Sequence, residues 1–133
     1  MENRVVLCVD DDPGIRELYQ AMLSRNGYEA ITVGDGSQAL TAYQFNENVD
    51  LVIVDLEMPG MNGYELAERL KMLNPLLPIM MVSGSNPFDE DISPHIDAAV
   101  MKGVPIRNIL DRIGLLLDER GGSRPEVEAA RQC

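Results

Sequence analysis

Asp55 closes an apolar run, Leu51-Val52-Ile53-Val54, and an earlier run, Val5-Val6-Leu7-Cys8-Val9, ends in three acids, Asp10, Asp11 and Asp12. Short β-rich apolar runs bounded by turn residues read as strands buried on both faces. Carboxylates at the ends of two such strands can meet at one sheet edge, where open α/β sheets bind ligands. Crowded carboxylates repel, at roughly 3 kcal/mol per pair for a separation of ~5 Å and an effective dielectric of ~20. A divalent cation relieves that repulsion, and Mg²⁺ suits hard oxygen ligands of this kind. Two further apolar runs end in Ser83 and in Lys102. Together these residue types suit phosphoryl transfer. Asp55 can attack phosphorus and form an acyl phosphate. Ser83 can hydrogen-bond one phosphoryl oxygen and Lys102 can pair with another. Singly, each has an ordinary explanation as a turn former, a helix cap or a solvated charge. The four strand ends in this order are what point to chemistry.

The elements that must position them follow from the pattern of the rest of the chain. Apolar runs alternate with amphipathic stretches, the signature of a parallel sheet with crossover helices. Strand one spans about Val5 to Val9. Asp12 offers an N-cap oxygen and Pro13 sits at the first helical position. Ile15, Leu18, Tyr19, Met22 and Leu23 then form one helical face, which Gly27 ends. A second strand near Tyr28 to Val33 leads through Gly34-Asp35-Gly36-Ser37 to a helix with a weaker apolar face at Ala39, Leu40, Ala42 and Tyr43. Strand three is Leu51 to Val54. A helix carrying Leu66, Leu70 and Leu73 follows, then strand four at Ile79 to Val82. The stretch Ser83 to Asp97 holds Pro87 and Pro94, so a short or distorted helix is expected there. Ala98 to Met101 reads as strand five, and a last helix spans about Pro105 to Leu117, facing Ile106, Ile109, Leu110, Ile113 and Leu117 inward.

Composition narrows the class. The 133 residues suit one domain with a sizeable core, and 45% hydrophobic with 25% charged is a globular balance. A net charge of −11 argues against direct nucleic-acid contact and against an anionic membrane surface. Cys8 lies inside the first strand and reads as a small core residue, and with Cys133 it makes no disulfide framework. The N-terminus enters a strand directly after Arg4 without a leader pattern, and no apolar run nears the ~20 residues of a membrane span. The expected location is the cytoplasm. Gly121-Gly122-Ser123-Arg124-Pro125 reads as a linker, so a domain over residues 4–118 and a linker or tail over 119–133 are expected.

Val9-Asp10-Asp11-Asp12-Pro13, Asp55-Leu56-Glu57-Met58-Pro59-Gly60-Met61-Asn62-Gly63, Val82-Ser83-Gly84 and Lys102 resemble the receiver domain of bacterial response regulators, the CheY-like family. The resemblance implies a flavodoxin-like doubly wound sheet, (βα)5, of strand order 2-1-3-4-5. It implies that Asp55 accepts a phosphoryl group from a partner histidine kinase or phosphotransfer protein, in a Mg²⁺-dependent phosphorelay that switches interactions with a downstream protein. Asp11 would be the direct Mg²⁺ ligand, with Asp10 beside it, Asp55, and the backbone carbonyl of Glu57. Ser83 and Lys102 match the hydroxyl and the lysine that read the phosphoryl group. Such a protein is a signalling phosphoacceptor rather than a turnover enzyme, catalysing only its own phosphorylation and dephosphorylation. His95, the single histidine, is a poor internal donor, so the donor is expected in trans. Homodimer formation stands open.

Departures from the family pattern are as informative. Gly103 stands where proline usually follows the lysine, and a trans bond is expected there, since a non-proline cis bond costs roughly 3 kcal/mol. Ala99 stands where an aromatic often swings inward on activation, so that switch is absent. These features feed an alternative reading, a pseudo-receiver that signals without phosphate. A metabolite phosphohydrolase is a third class, but Asp55-Leu56-Glu57 matches the usual Asp-x-Asp only loosely. Gly34-Asp35-Gly36 lacks the third glycine of a dinucleotide fingerprint.

Overall fold

The computed structural model describes residues 3–46, 48–84 and 94–121. Its strands are β1 (Val5–Val9), β2 (Glu29–Val33), β3 (Leu51–Asp55), β4 (Ile79–Ser83) and β5 (Ala98–Met101). Its helices are α1 (Pro13–Arg25), α2 (Gly36–Phe45), α3 (Gly63–Leu73) and α4 (Ile106–Gly121). All four strand pairings are parallel and the order is β2-β1-β3-β4-β5, as expected. The distorted helix expected within Ser83 to Asp97 falls mostly on residues outside the described set.

Successive side chains of each strand point to opposite faces, and the core divides accordingly. Val5, Leu7, Val9, Val52, Val54, Ile79, Met81 and Ala99 pack with Ala39 and Tyr43 of α2 and with Leu66, Ala67 and Leu70 of α3. Val6, Cys8, Leu51, Ile53, Met80, Val82 and Val100 pack with Tyr19, Met22 and Leu23 of α1 and with Ile109, Ile113 and Leu117 of α4. Both faces of the central strands are therefore covered, which is why these strands are apolar throughout rather than alternating. Cys8 is fully buried, and burial pushes its thiol well above the usual range, in keeping with a core role.

The first helix starts as the sequence suggests, and the structure adds caps on the next two. Asp12 caps α1 by accepting from the Gly14 amide, and Asp35 caps α2 by accepting from Gln38. Asn62 and Glu65 form a reciprocal capping box on α3. Three apolar residues expected to face inward do not: Leu18, Leu73 and Ile106 are each more than 40% exposed. Leu18 and Ile106 line an open apolar cleft of about 230 Å³ between α1 and α4. Leu73 ends α3 beside the groove it shares with Tyr43 and Gln44 of α2. Helical spacing marks a face of the helix, but a neighbouring element must cover the whole of it before every residue on it is buried.

At the N-terminal edge of the sheet two aspartates act as structural clamps. Asp50, just before β3, accepts from the Val5 amide at 2.8 Å and donates its own amide to the Val5 carbonyl. Asp97, just before β5, does the same to Ile79 and also pairs with Lys71 Nζ of α3 at 2.8 Å. Among the described residues no helix is long and apolar enough to cross a membrane.

Candidate functional site

The C-terminal ends of β1, β3, β4 and β5 lie side by side, and the parallel register brings their terminal residues together. Val9 is level with Val54, Asp55 with Val82, and Ser83 with Met101. Asp10 and Asp55 are each only 1% exposed and Ser83 is fully buried, whereas Asp11 is exposed. One carboxylate oxygen from each of Asp10, Asp11 and Asp55 falls within a 4.8 Å cluster.

The two buried acids, Asp10 and Asp55, each accept from a backbone amide two residues on. Asp10 Oδ1 accepts from the Asp12 amide at 2.9 Å, and the Asp10 carbonyl accepts from Arg16 Nη1 at 2.7 Å. Asp55 Oδ1 accepts from the Glu57 amide at 3.1 Å and lies 3.2 Å from Lys102 Nζ, which also donates to Oδ2 at 3.3 Å. Lys102 is anchored in turn, its amide donating to the Ser83 carbonyl at 2.7 Å. Gly103 follows with φ +94°, a left-handed conformation that glycine adopts without steric cost, and no cis peptide bond occurs among the described residues.

The loop after β3 needs its glycines. The Gly63 amide donates to the Leu56 carbonyl, and a Cβ at Gly63 would lie 2.8 Å from the Asp55 carbonyl oxygen and from Leu56 Cα. Only glycine lets α3 start this close behind β3. Gly60 turns the loop at φ +76°, and Met58 anchors it in the core.

Burial raises the Asp55 carboxyl above its ordinary value, against the Glu57 amide and Lys102, which favour its charged form. Burial raises Asp10 as well, with the neighbouring Asp55 and Asp11 charges adding to the effect. Burial works against the Lys102 ammonium, but the hydrogen bond and charge of Asp55, with Asp10 and Glu57, outweigh it, and its pKa stands above the usual lysine value. An excess of buried negative charge thus meets a single ammonium. The donor set is hard oxygen, and it fits a small divalent cation such as Mg²⁺ better than a softer metal.

The family model described as the response regulator receiver domain matches residues 6–113. The chain belongs to that family. Receiver relatives include the DNA-binding response regulator MtrA of Mycolicibacterium smegmatis, 33% identical over 110 residues, covering 81% of this chain and 48% of MtrA. The chain spans about half the length or less of the first curated relatives it matches. A CheY-like receiver domain from Methanospirillum hungatei superposes with a TM-score of 0.80 at 30% identity, over 91% of this chain and 98% of that one. Response regulator TrrA of Thermotoga maritima, solved with Mg²⁺ and BeF, gives a TM-score of 0.78 at 33% identity, over 85% of this chain and 98% of that one. TrrA has also been solved in complex with the histidine kinase ThkA.

Of the receiver residues named from sequence, the structure gathers Asp10, Asp11, Asp55, Ser83 and Lys102 at one edge and leaves Asp12 as a helix cap. One contributor, Arg16, escaped the sequence reading, and the carboxylate of Glu57 takes a partner that sequence could not name. Arg16, on the first turns of α1, reaches back to the Asp10 carbonyl. The Glu57 side chain reaches across to the Gly84 amide, with Oε1 accepting at 3.2 Å. Arg16 looks like an ordinary polar-face residue on a helical wheel. Glu57 carries a signal only through its place two residues past Asp55.

Proposed function

We propose that this receiver domain works as a phosphorelay module in which Asp55 accepts a phosphoryl group from a phosphohistidine on a partner histidine kinase or phosphotransfer protein. The convergence of Asp10, Asp11 and Asp55 within 4.8 Å, with Lys102 on Asp55, is the observation that carries this reading. Asp10, Asp11, Asp55 and the Glu57 backbone carbonyl would hold Mg²⁺. The ion, when bound, supplies positive charge against the carboxylates and the phosphoryl oxygens. An Asp55 carboxylate oxygen forms a bond to phosphorus as the phosphorus–nitrogen bond of the donor breaks, its electron pair returning to the donor imidazole. The Lys102 ammonium and the Ser83 hydroxyl then face phosphoryl oxygens rather than the bare carboxylate. Positioning and charge compensation are the main resources of this reaction class. The apolar cleft of about 230 Å³ between α1 and α4, which Lys102 also lines, suits the surface of a docking donor domain.

The new charge on Asp55 shifts the populations of the loops that border the site and hence partner affinity. Residues 4–118 form the functional unit, acting in the cytoplasm. The test is intact-mass measurement after incubation with Mg²⁺ and acetyl phosphate, or with a phosphorylated kinase. Wild-type protein should gain one phosphoryl group and Asp55→Asn none. Equal labelling of the two, or no labelling of either, would sink the proposal and favour a receiver that signals without phosphate.

A further inference from the structure

Glu57 is tied to the site at two points. Its amide donates to Asp55 Oδ1 at 3.1 Å, while its carboxylate accepts from the Gly84 amide at 3.2 Å. Gly84 directly follows Ser83, whose carbonyl accepts from the Lys102 amide. The Gly84 N–H therefore stands at the rim where an anion bound to Asp55 would look for donors, and an anion of this chain's own already occupies it. A Cβ added at Gly84 would meet Glu57 Oε1 at 3.5 Å, an ordinary van der Waals distance, so the glutamate lies close over this residue. The Glu57 charge is also felt by Lys102, which places it on the same side of the site.

We propose that the Glu57 carboxylate is a latch. At rest it holds the Gly84 amide, tying the loop after β3 to the end of β4, and a phosphoryl group on Asp55 takes that amide from it. The inference rests on the phosphoacceptor reading above. Two consequences follow. A small phosphoryl donor or analogue must compete with an internal carboxylate, so the resting site discriminates against weak anions. When the competition is won, the end of β4 exchanges one partner for another. The state of Asp55 then reaches β4 without an inward-swinging aromatic, which Ala99 cannot supply.

The test uses the full chain and reads the latch separately from the chemistry. In metal-free protein, Glu57→Ala should move the Gly84 amide resonance and raise its hydrogen exchange, while Glu57→Gln, which keeps an acceptor oxygen, should leave both near wild type. With Mg²⁺ and beryllofluoride as the probe, Glu57→Ala should bind roughly 3- to 10-fold more tightly, the equivalent of one net hydrogen bond. Glu57→Gln should fall between the two. An unchanged Gly84 resonance in Glu57→Ala overturns the latch, as does equal tightening in the Gln and Ala variants, which would mean charge repulsion alone. Wild-type protein that binds no beryllofluoride overturns the phosphoacceptor reading and the competition with it. Wild type that binds while Glu57→Ala binds no better overturns the latch alone.

Discussion

The two edges of the sheet use the same side chain in opposite ways. At the N-terminal edge Asp50 and Asp97 stand just before β3 and β5 and accept the first amides of β1 and β4. At the C-terminal edge Asp10 and Asp55 lie at the ends of β1 and β3, both buried, with one ammonium, Lys102, on Asp55. The open ends of the ladder explain the difference. At the starts of β1 and β4 the Val5 and Ile79 amides each take a carboxylate from just before a neighbouring strand. At the other edge the Val33, Val82 and Ser83 carbonyls accept from backbone amides, and Asp10 and Asp55 have loop amides and Lys102 as their donors. One edge is satisfied from within and spends its aspartates on stability. The other is left short of positive charge and is poised to take up charged ligands.

This contrast can be broken in three ways, in decreasing size. Asp97→Ala leaves the Ile79 amide without its carboxylate partner and removes the Lys71 pair, and should destabilise the fold by about 1–3 kcal/mol. Asp50→Ala should act similarly through Val5. Urea unfolding measures the loss, and acetyl phosphate labelling of the folded variants should match wild type; impaired labelling would erase the division between the edges.

Metal should act only at the other edge. Mg²⁺ at ten times its dissociation constant should stabilise the protein by about 1.4 kcal/mol, since it binds the folded state alone. Thermal unfolding with and without Mg²⁺ reads this directly. Asp11→Asn should lose most of the gain and Asp97→Ala should keep it.

The smallest effect is on pH. Burial holds the Asp55 carboxyl above its ordinary value, so the folded protein binds that proton more readily than the unfolded chain. The protonated form stabilises the fold at pH values below the unfolded carboxylate's pKa, and that contribution is lost as pH rises through the folded value. In metal-free buffer Asp55→Asn should therefore be more stable than wild type at neutral pH, with the advantage fading toward pH ~4. An Asn variant no more stable than wild type at neutral pH would show that Lys102 fully compensates the buried charge.

Much of this architecture was legible in the chain. Five apolar runs and the Asp12-Pro13 helix start are local signals, and each appears within a residue or two of its expected place. Leu18 and Ile106 misled because their spacing is helical but the cleft beside them is open. Asp50 and Asp97 carried no signal at all, since an aspartate before a strand reads as a turn residue until its neighbour's amide is known.

By itself, then, the sequence determined the alternation of strands and helices, the family, and the set of residues whose chemistry suits phosphoryl transfer. Those properties reside in neighbouring residues and in short motifs at the ends of four strands. Tertiary structure alone decided which acids share a space and which atoms they touch. Asp10 and Asp55 are 45 positions apart, and only the parallel β1–β3 register makes them neighbours. The same holds for Glu57 and Gly84, which meet because β3 and β4 end together. Asp55 was always a carboxylate at the end of a strand; the packing of the fold surrounded it with two further acids, one lysine and a competing glutamate.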